Sequence, residues 1–210
     1  PLWSRGLGDV YKRQSLKQIN LPIFPLKLVV LPGTIQGLQI FEPRYLNMVK
    51  QCMSNASNFV ISYKSDKFDD FDFGIEKVGT SVQIVDFNNL PNGLLGITVK
   101  AESKVSLNNI IQLEDKSYLG EVLPLTEPEV DDQSLLAKYP DLIEVLVKLK
   151  EHPEIKTLQL DIDLDSADSV SYHLGNLIPL TADEKQTLLT AFDACLLYTS
   201  EPTRPERISY

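Results

Sequence analysis

Arg44 is the residue in this chain best placed, by type and spacing, to do chemistry. It is the sole arginine between Arg13 and Arg204, and it stands two residues after Glu42 at the head of a predicted helix. A guanidinium is planar, always charged and carries five donors, so it can pair bidentately with a carboxylate or cap exposed carbonyls. Either use would brace the helix. The other use of such a group is contact with a bound polypeptide, and the sequence leaves both open. The remaining candidates point to less. His152 and His173 are the only histidines, 21 residues apart, and neither has neighbours at zinc-site spacing. His152 reads as a helix-end residue and His173 as a helix-surface one. Asp161, Asp163 and Asp165 alternate as DIDLD, but the glycine and final glutamate of a calcium loop are missing, with Tyr172 at the glutamate's position. They read as a solvated loop ahead of a helix. Cys52 and Cys195 lie far apart with no motif around them, as two buried, reduced thiols of a cytoplasmic protein would. No GxxxxGK(S/T) is present to cradle a phosphate. No set of residues marks a nucleophile with its base. The expectation is a chain without catalytic residues, metal or cofactor.

The elements that position Arg44 lie in the stretch 31–49, LPGTIQGLQIFEPRYLNMV. Pro32-Gly33 signals a turn, because proline presets φ and glycine tolerates positive φ. Ile35, Leu38 and Ile40 follow in an apolar, β-branched run suited to a strand. Glu42-Pro43 then opens a helix, since proline suits the first helical position and a carboxylate there meets the positive end of the dipole. Tyr45, Leu46, Val49 and Met53 recur at helical spacing, which predicts that their face packs inward. Upstream, residues 21–30 carry Pro22 and Pro25, which predicts an edge strand or an irregular extended segment.

Downstream, short strands are predicted at 59–63, 74–87, 94–105, 107–113 and 118–125. Pro91-Asn92-Gly93 and Glu114-Asp115-Lys116 supply turns between them. Val78, Val82, Ile84 and Phe87 are the apolar residues of the long second strand. The charged stretch 64–72 reads as an exposed hairpin tip or loop whose Phe68 and Phe71 pack back onto the strands, the alternative being a sticky contact point. Regular short strands with turns between argue a small closed or nearly closed β-barrel. From Thr126 the pattern changes. An acidic linker at 127–132 leads into apolar residues at a period of 3.6: Leu135 and Leu136, then Leu142, Ile143, Leu146 and Leu149 after Pro140. His152-Pro153 stops that helix. Val170, Leu174, Leu177 and Ile178 mark another, and Thr181 with Glu184 forms a capping box ahead of Leu188, Leu189 and Phe192.

Composition bounds the function. With 210 residues and 43% hydrophobic content, the chain can bury a core of its own. No apolar run is long enough to span a bilayer, and no basic-then-apolar leader is visible. A net charge of −9 argues against nucleic acid, whose phosphates must be neutralised by lysine and arginine, and against acidic membranes. Residues 1–14 and 198–210 differ from the interior: they hold four of the five arginines and the sole tryptophan, Trp3, without amphipathic period. They read as non-native flanks, and without them the interior is more acidic still.

Several motifs in register resemble the N-terminal substrate-binding domain of Lon proteases. They are Leu21-Pro22-Ile23-Phe24-Pro25-Leu26, the LPG turn, and Ile40-Phe41-Glu42-Pro43-Arg44-Tyr45-Leu46. Val78-Gly79-Thr80, Ile84-Val85-Asp86 and 90–97 (LPNGLLGI) follow in order, and Glu184-Lys185-Gln186 with Leu188-Leu189 matches the helical end. The similarity runs from Ile19 to Leu197. It implies an α+β fold: a small PUA-like β-barrel with one inserted helix over 15–125, followed by a C-terminal helical subdomain over 126–197. It implies a non-enzymatic module that binds unfolded or hydrophobic polypeptide segments and works beside a protease or chaperone. The ATPase and protease modules of Lon lie outside the matched region. Such binding needs exposed apolar surface or an open sheet edge. The candidates are the rim at Phe24, Pro25 and Leu26 and the groove beside Phe41, Arg44 and Tyr45. Two other readings stay open: a fragment of a full-length ATP-dependent Lon protease, and an RNA-binding PUA-like protein.

Overall fold

The computed structural model describes residues 19–65, 73–125, 131–156 and 160–191. Both flanks, Phe68 and Phe71, most of the acidic linker, Phe192 and Cys195 lie outside the described residues. Six strands come first, with one helix set among them: β1 (Ile19–Leu26), β2 (Ile35–Ile40), α1 (Pro43–Asn55), β3 (Phe59–Lys64), β4 (Ile75–Asn89), β5 (Leu95–Gln112) and β6 (Tyr118–Pro124). Helices α2 (Asp132–Lys138), α3 (Pro140–Lys150), α4 (Pro153–Lys156), α5 (Ala167–Leu177) and α6 (Ala182–Thr190) follow.

The strands form one sheet in the order β2-β5-β4-β3-β1-β6, and a further pairing of β5 with β6 closes it. The closure depends on β5, which is one continuous strand of 18 residues where the sequence suggests two. Its first part, Leu95 to Lys100, pairs with β2, and its last part, Val105 to Gln112, pairs with β6. Between these parts the register against β4 shifts at Ser81/Val82, and a second shift, between Asn108 and Ile111 with Asn109 at φ 47°, falls within the part paired with β6. β1 is not an edge strand. It pairs antiparallel with β6 over Ile19–Ile23 and parallel with β3 over Ile23–Leu26. Each proline is tolerated because one side of the strand is unpartnered at its position: Pro22 has no β3 partner and Pro25 no β6 partner.

The main core gathers Phe24, Leu38, Ile40, Phe59, Ile61, Val82, Ile97 and Val99 against α1. The buried face of α1 is Tyr45, Met48, Val49 and Cys52. Leu46 and Met53, expected inside, are 37% and 41% exposed. The 3.6-residue period admits either stripe, and the two share Tyr45 and Val49. The helix ends at Ala56, whose left-handed backbone (φ 48°) satisfies the last carbonyls.

The helices pack in two ways. α2, α3 and α5 enclose Leu135, Leu136, Leu146, Ile162, Val170 and Leu174. α6 instead sits on the barrel: Gln186 Nε2 donates to the Val78 carbonyl (3.0 Å), and Lys104 Nζ donates to the Ala191 carbonyl (2.7 Å) at the helix's negative end. The capping box of Thr181 and Glu184 is formed. His173 corrects the sequence reading. It is 2% exposed, not on a helix surface, and its ring lies over the LPG turn, where a Cβ on Gly33 would come within 3.1 Å of Cε1. Its Nδ1 donates to the Ser169 carbonyl at 2.8 Å. The DIDLD segment is a loop before α5, with Asp161, Asp163 and Asp165 exposed.

Candidate functional site

The site is built where β2 hands over to α1. Glu42 is the N-cap of α1 and Pro43 its first residue, yet the Glu42 carboxylate does not cap the helix. It is taken by Arg44 instead: one carboxylate oxygen accepts from Nε at 2.8 Å and lies 2.6 Å from the second guanidinium nitrogen. The third nitrogen donates to the Lys116 carbonyl at 2.6 Å, in the turn between β5 and β6. Arg44 thus both pairs with a carboxylate and caps a barrel carbonyl, tying the head of α1 to a turn 72 residues away. Its guanidinium carbon also lies 4.6 Å from the centre of the Tyr45 ring, a cation–π distance.

Beneath Arg44 aromatic rings pack in tilted contacts. Tyr45 and Phe24 have centroids 4.2 Å apart, and Phe24 and Phe59 are 6.3 Å apart. Phe24 and Tyr45 floor a pocket of about 220 Å³ that Pro25, Leu26, Phe41 and Arg44 also line. The two candidate surfaces named from the sequence are therefore one concavity. Their roles within it differ. Phe24 and Tyr45 are buried floor, at 5% and 3% exposure, whereas Phe41 stands on the rim at 67%. Lys64 and Tyr118, from the end of β3 and the start of β6, complete the wall. No local signal in the sequence marks these two residues, because only barrel closure brings them to this mouth.

Burial pushes the Tyr45 hydroxyl up to about 12 from its ordinary 10.0, although Arg44 pulls the other way. Neutral tyrosine is thus favoured in the folded state, so this contribution to stability is intact below pH 10 and lost as pH rises through 12. An absorbance titration of the phenolates should show one tyrosine with a midpoint near 12, absent from Tyr45→Phe. The variant's unfolding midpoint should fall less steeply than the wild type's above pH 10. A Tyr45 that ionises near the ordinary 10.0 would contradict the buried floor.

A second groove, about 290 Å³, runs between the end of α1 and the outer edge of β4. Met53, Val85 and Phe87 line it and are 41%, 50% and 57% exposed. By sequence alone Phe87 falls with the apolar residues of β4. A register shift between Ile84 and Asp86 resets the alternation, and Phe87 emerges on the outside. Cys52 at its floor is a free, buried thiol whose pKa burial raises. Among the described residues, no group of three or more His, Cys, Asp or Glu side chains is placed to hold a metal ion, and no helix is long and apolar enough to cross a membrane. What the main pocket can do chemically is receive an apolar side chain over an aromatic floor, with polar groups at its rim.

The comparisons with known proteins agree with this architecture. The family described as the ATP-dependent protease La (LON) substrate-binding domain matches residues 20–195. Lon protease 1 of Thermus thermophilus is 28% identical over 195 residues, covering 82% of this chain and 22% of that protein. The Lon protease of Halothermothrix orenii is 22% identical, covering 87% of this chain and 24% of its own length. The chain thus spans less than a quarter of the length of these relatives. Among solved structures, a Lon N-terminal domain protein from Xanthomonas campestris superposes with a TM-score of 0.64 at 27% identity, covering 84% of this chain and 92% of that one. The N-terminal domain of a Mycobacterium avium complex Lon protease gives the same TM-score at 16% identity, a likeness of fold. With most of its length inside that match, the chain belongs to the Lon substrate-binding domain family.

Proposed function

We propose that this protein is a polypeptide-binding module, and that the pocket at the head of α1 receives apolar side chains of unfolded segments. One observation carries the reading: an exposed aromatic, Phe41, stands over a concavity whose floor is already aromatic and whose rim is polar. Exposed apolar surface beside polar groups is what an unfolded chain can use and a folded one cannot. Family membership supports it, since the family is described by substrate binding. Such a module changes no covalent bond itself and would hold its segment for a partner protease or chaperone in the cytoplasm.

The test is fluorescence anisotropy with a reduced, carboxymethylated and labelled protein that cannot refold. Phe41→Asp should weaken binding about tenfold or more, because a rim aromatic of this kind acts as a binding anchor. Its thermal midpoint should match the wild type's, since a side chain exposed this far contributes little to packing. Equal binding by Phe41→Asp and wild type would sink the proposal, as would no binding of the unfolded protein by either.

A further inference from the structure

The open edge of β2 leads into that pocket. Among the described residues, β2 pairs with β5 alone. Antiparallel partners alternate between residues that exchange hydrogen bonds and residues that turn their backbone groups away. Ala101 N donates to the Thr34 carbonyl at 2.9 Å, which fixes the phase. Gln36, Leu38 and Ile40 therefore bond to β5, and Ile35, Gly37 and Gln39 point their N–H and C=O groups outward. These same three residues are exposed, and a Cβ on Gly37 would meet nothing within 4 Å. Gln36 supplies a local stand-in: its side-chain Nε2 donates to the Gly37 carbonyl at 2.9 Å.

Sheet edges are usually guarded by lysine, proline, a bulge or a cover. The outer edge of β4 has such guards: a bulge beside Val85, and the Asp86 carboxylate accepting from the Phe87 N–H at 2.8 Å. β2, with sequence IQGLQI, has no charge, no proline and no register shift. Its last residues, Gln39 and Ile40, run into Phe41 and line the pocket.

We propose that β2 takes up an extended segment of unfolded polypeptide as an added strand. The segment bonds to the backbone groups of Ile35, Gly37 and Gln39 and places one apolar side chain in the pocket beside Phe41. It is neutral or basic, because a protein of net charge −9 repels an acidic chain. This rests on the polypeptide-binding reading and adds recognition that is indifferent to sequence: unpaired backbone is the one feature all unfolded chains share.

The probe is a capped, fluorescent hexapeptide, Lys-Val-Thr-Phe-Thr-Val, followed by anisotropy and by amide exchange on the protein. Binding should slow exchange at Ile35, Gly37 and Gln39. Backbone N-methylation at alternate peptide residues should weaken binding about tenfold or more for one alternate set and little for the other, since only one set of donors faces β2. Gly37→Pro should weaken binding likewise, because it removes an outward N–H that β5 does not use. The N-methyl series on wild-type protein carries the test if that variant does not fold. An acidic counterpart, with both threonines replaced by glutamate, should bind more weakly. Binding that Phe41→Asp abolishes but N-methylation does not touch would overturn the added strand while leaving the pocket reading intact. No binding of any peptide would overturn both. A dimer in light scattering that Gly37→Pro dissociates would give the edge to a second copy and overturn the proposal.

Discussion

Gly79→Ala is expected to lower the free energy of unfolding by about 3 kcal/mol or more, the range reached when overpacking meets a part that cannot move aside. A Cβ there would come 2.7 Å from the Ile61 carbonyl oxygen, 3.0 Å from Val60 Cγ1 and 3.2 Å from Ser62 Cβ. The nearest of these is backbone, so no rotamer change relieves it. Gly79 is paired on both sides, with Ser62 of β3 and Val105 of β5. Shifting β4 outward would break ladder bonds in two directions. It would also move the Val78 carbonyl that accepts from Gln186 and anchors α6. Urea denaturation measures the loss. Gly37→Ala is the internal control: it too is a strand glycine, but its Cβ would enter open space. That variant should stay within about 0.5 kcal/mol of wild type, as surface substitutions usually do. Equal behaviour of the two variants would mean that strand entropy, rather than the approach of Ile61, explains Gly79.

Gly79 also marks the boundary of what the sequence reveals. Its place in a Val-Gly-Thr motif is visible, but the carbonyl that excludes a methyl group belongs to a strand 18 residues earlier. The features legible in the chain are those whose causes lie within one turn or one hairpin. The LPG turn with Gly33 at φ 77°, the Glu42-Pro43 helix start, the turn at Gly93 and the Thr181 capping box are all of this kind. Features set by pairing across the chain were not legible. Two prolines inside β1 are compatible with an interior strand only because β6 and β3 share its length unequally. Nothing local distinguishes His173 on a surface from His173 against Gly33.

The site divides the same way. Phe24 to Leu26 and Phe41 to Tyr45 stand out because they belong to compact local motifs, and closure of the barrel brings both to one mouth. Lys64 and Tyr118 reach that mouth only through β3 and β6, and carry no signature of their own. Arg44 could be read as structural or as binding. Its guanidinium is committed to Glu42 and the Lys116 carbonyl, which braces the rim of the pocket.

Leu146→Ala is expected to cost about 2–5 kcal/mol, as removal of a fully buried leucine does, but the cost should fall on one layer of the molecule. Leu146 is 0% exposed and lies among Leu135, Leu136, Val170 and Leu174. That cluster is drawn from the helical half and the loop before α5, and contains no barrel side chain. The contacts that seat helices on the barrel are elsewhere: Leu188 and Leu189 with Val29 and Leu31, Gln186 on Val78, and Lys104 on Ala191. In native-state hydrogen exchange, α2 and α3 should therefore lose protection while β3 and β4 keep theirs, as a locally opening unit would. The pocket is assembled from strands and α1, so affinity for an unfolded chain should be unchanged. Equal loss of protection in β4 would show that α5 couples the layers through Tyr172 and the contact of His173 with Gly33. The division near residue 126 would then be one of composition and not of stability. Retained protection in the barrel would instead make the helical layer a separable support, with the pocket proposed for polypeptide belonging wholly to the part before it.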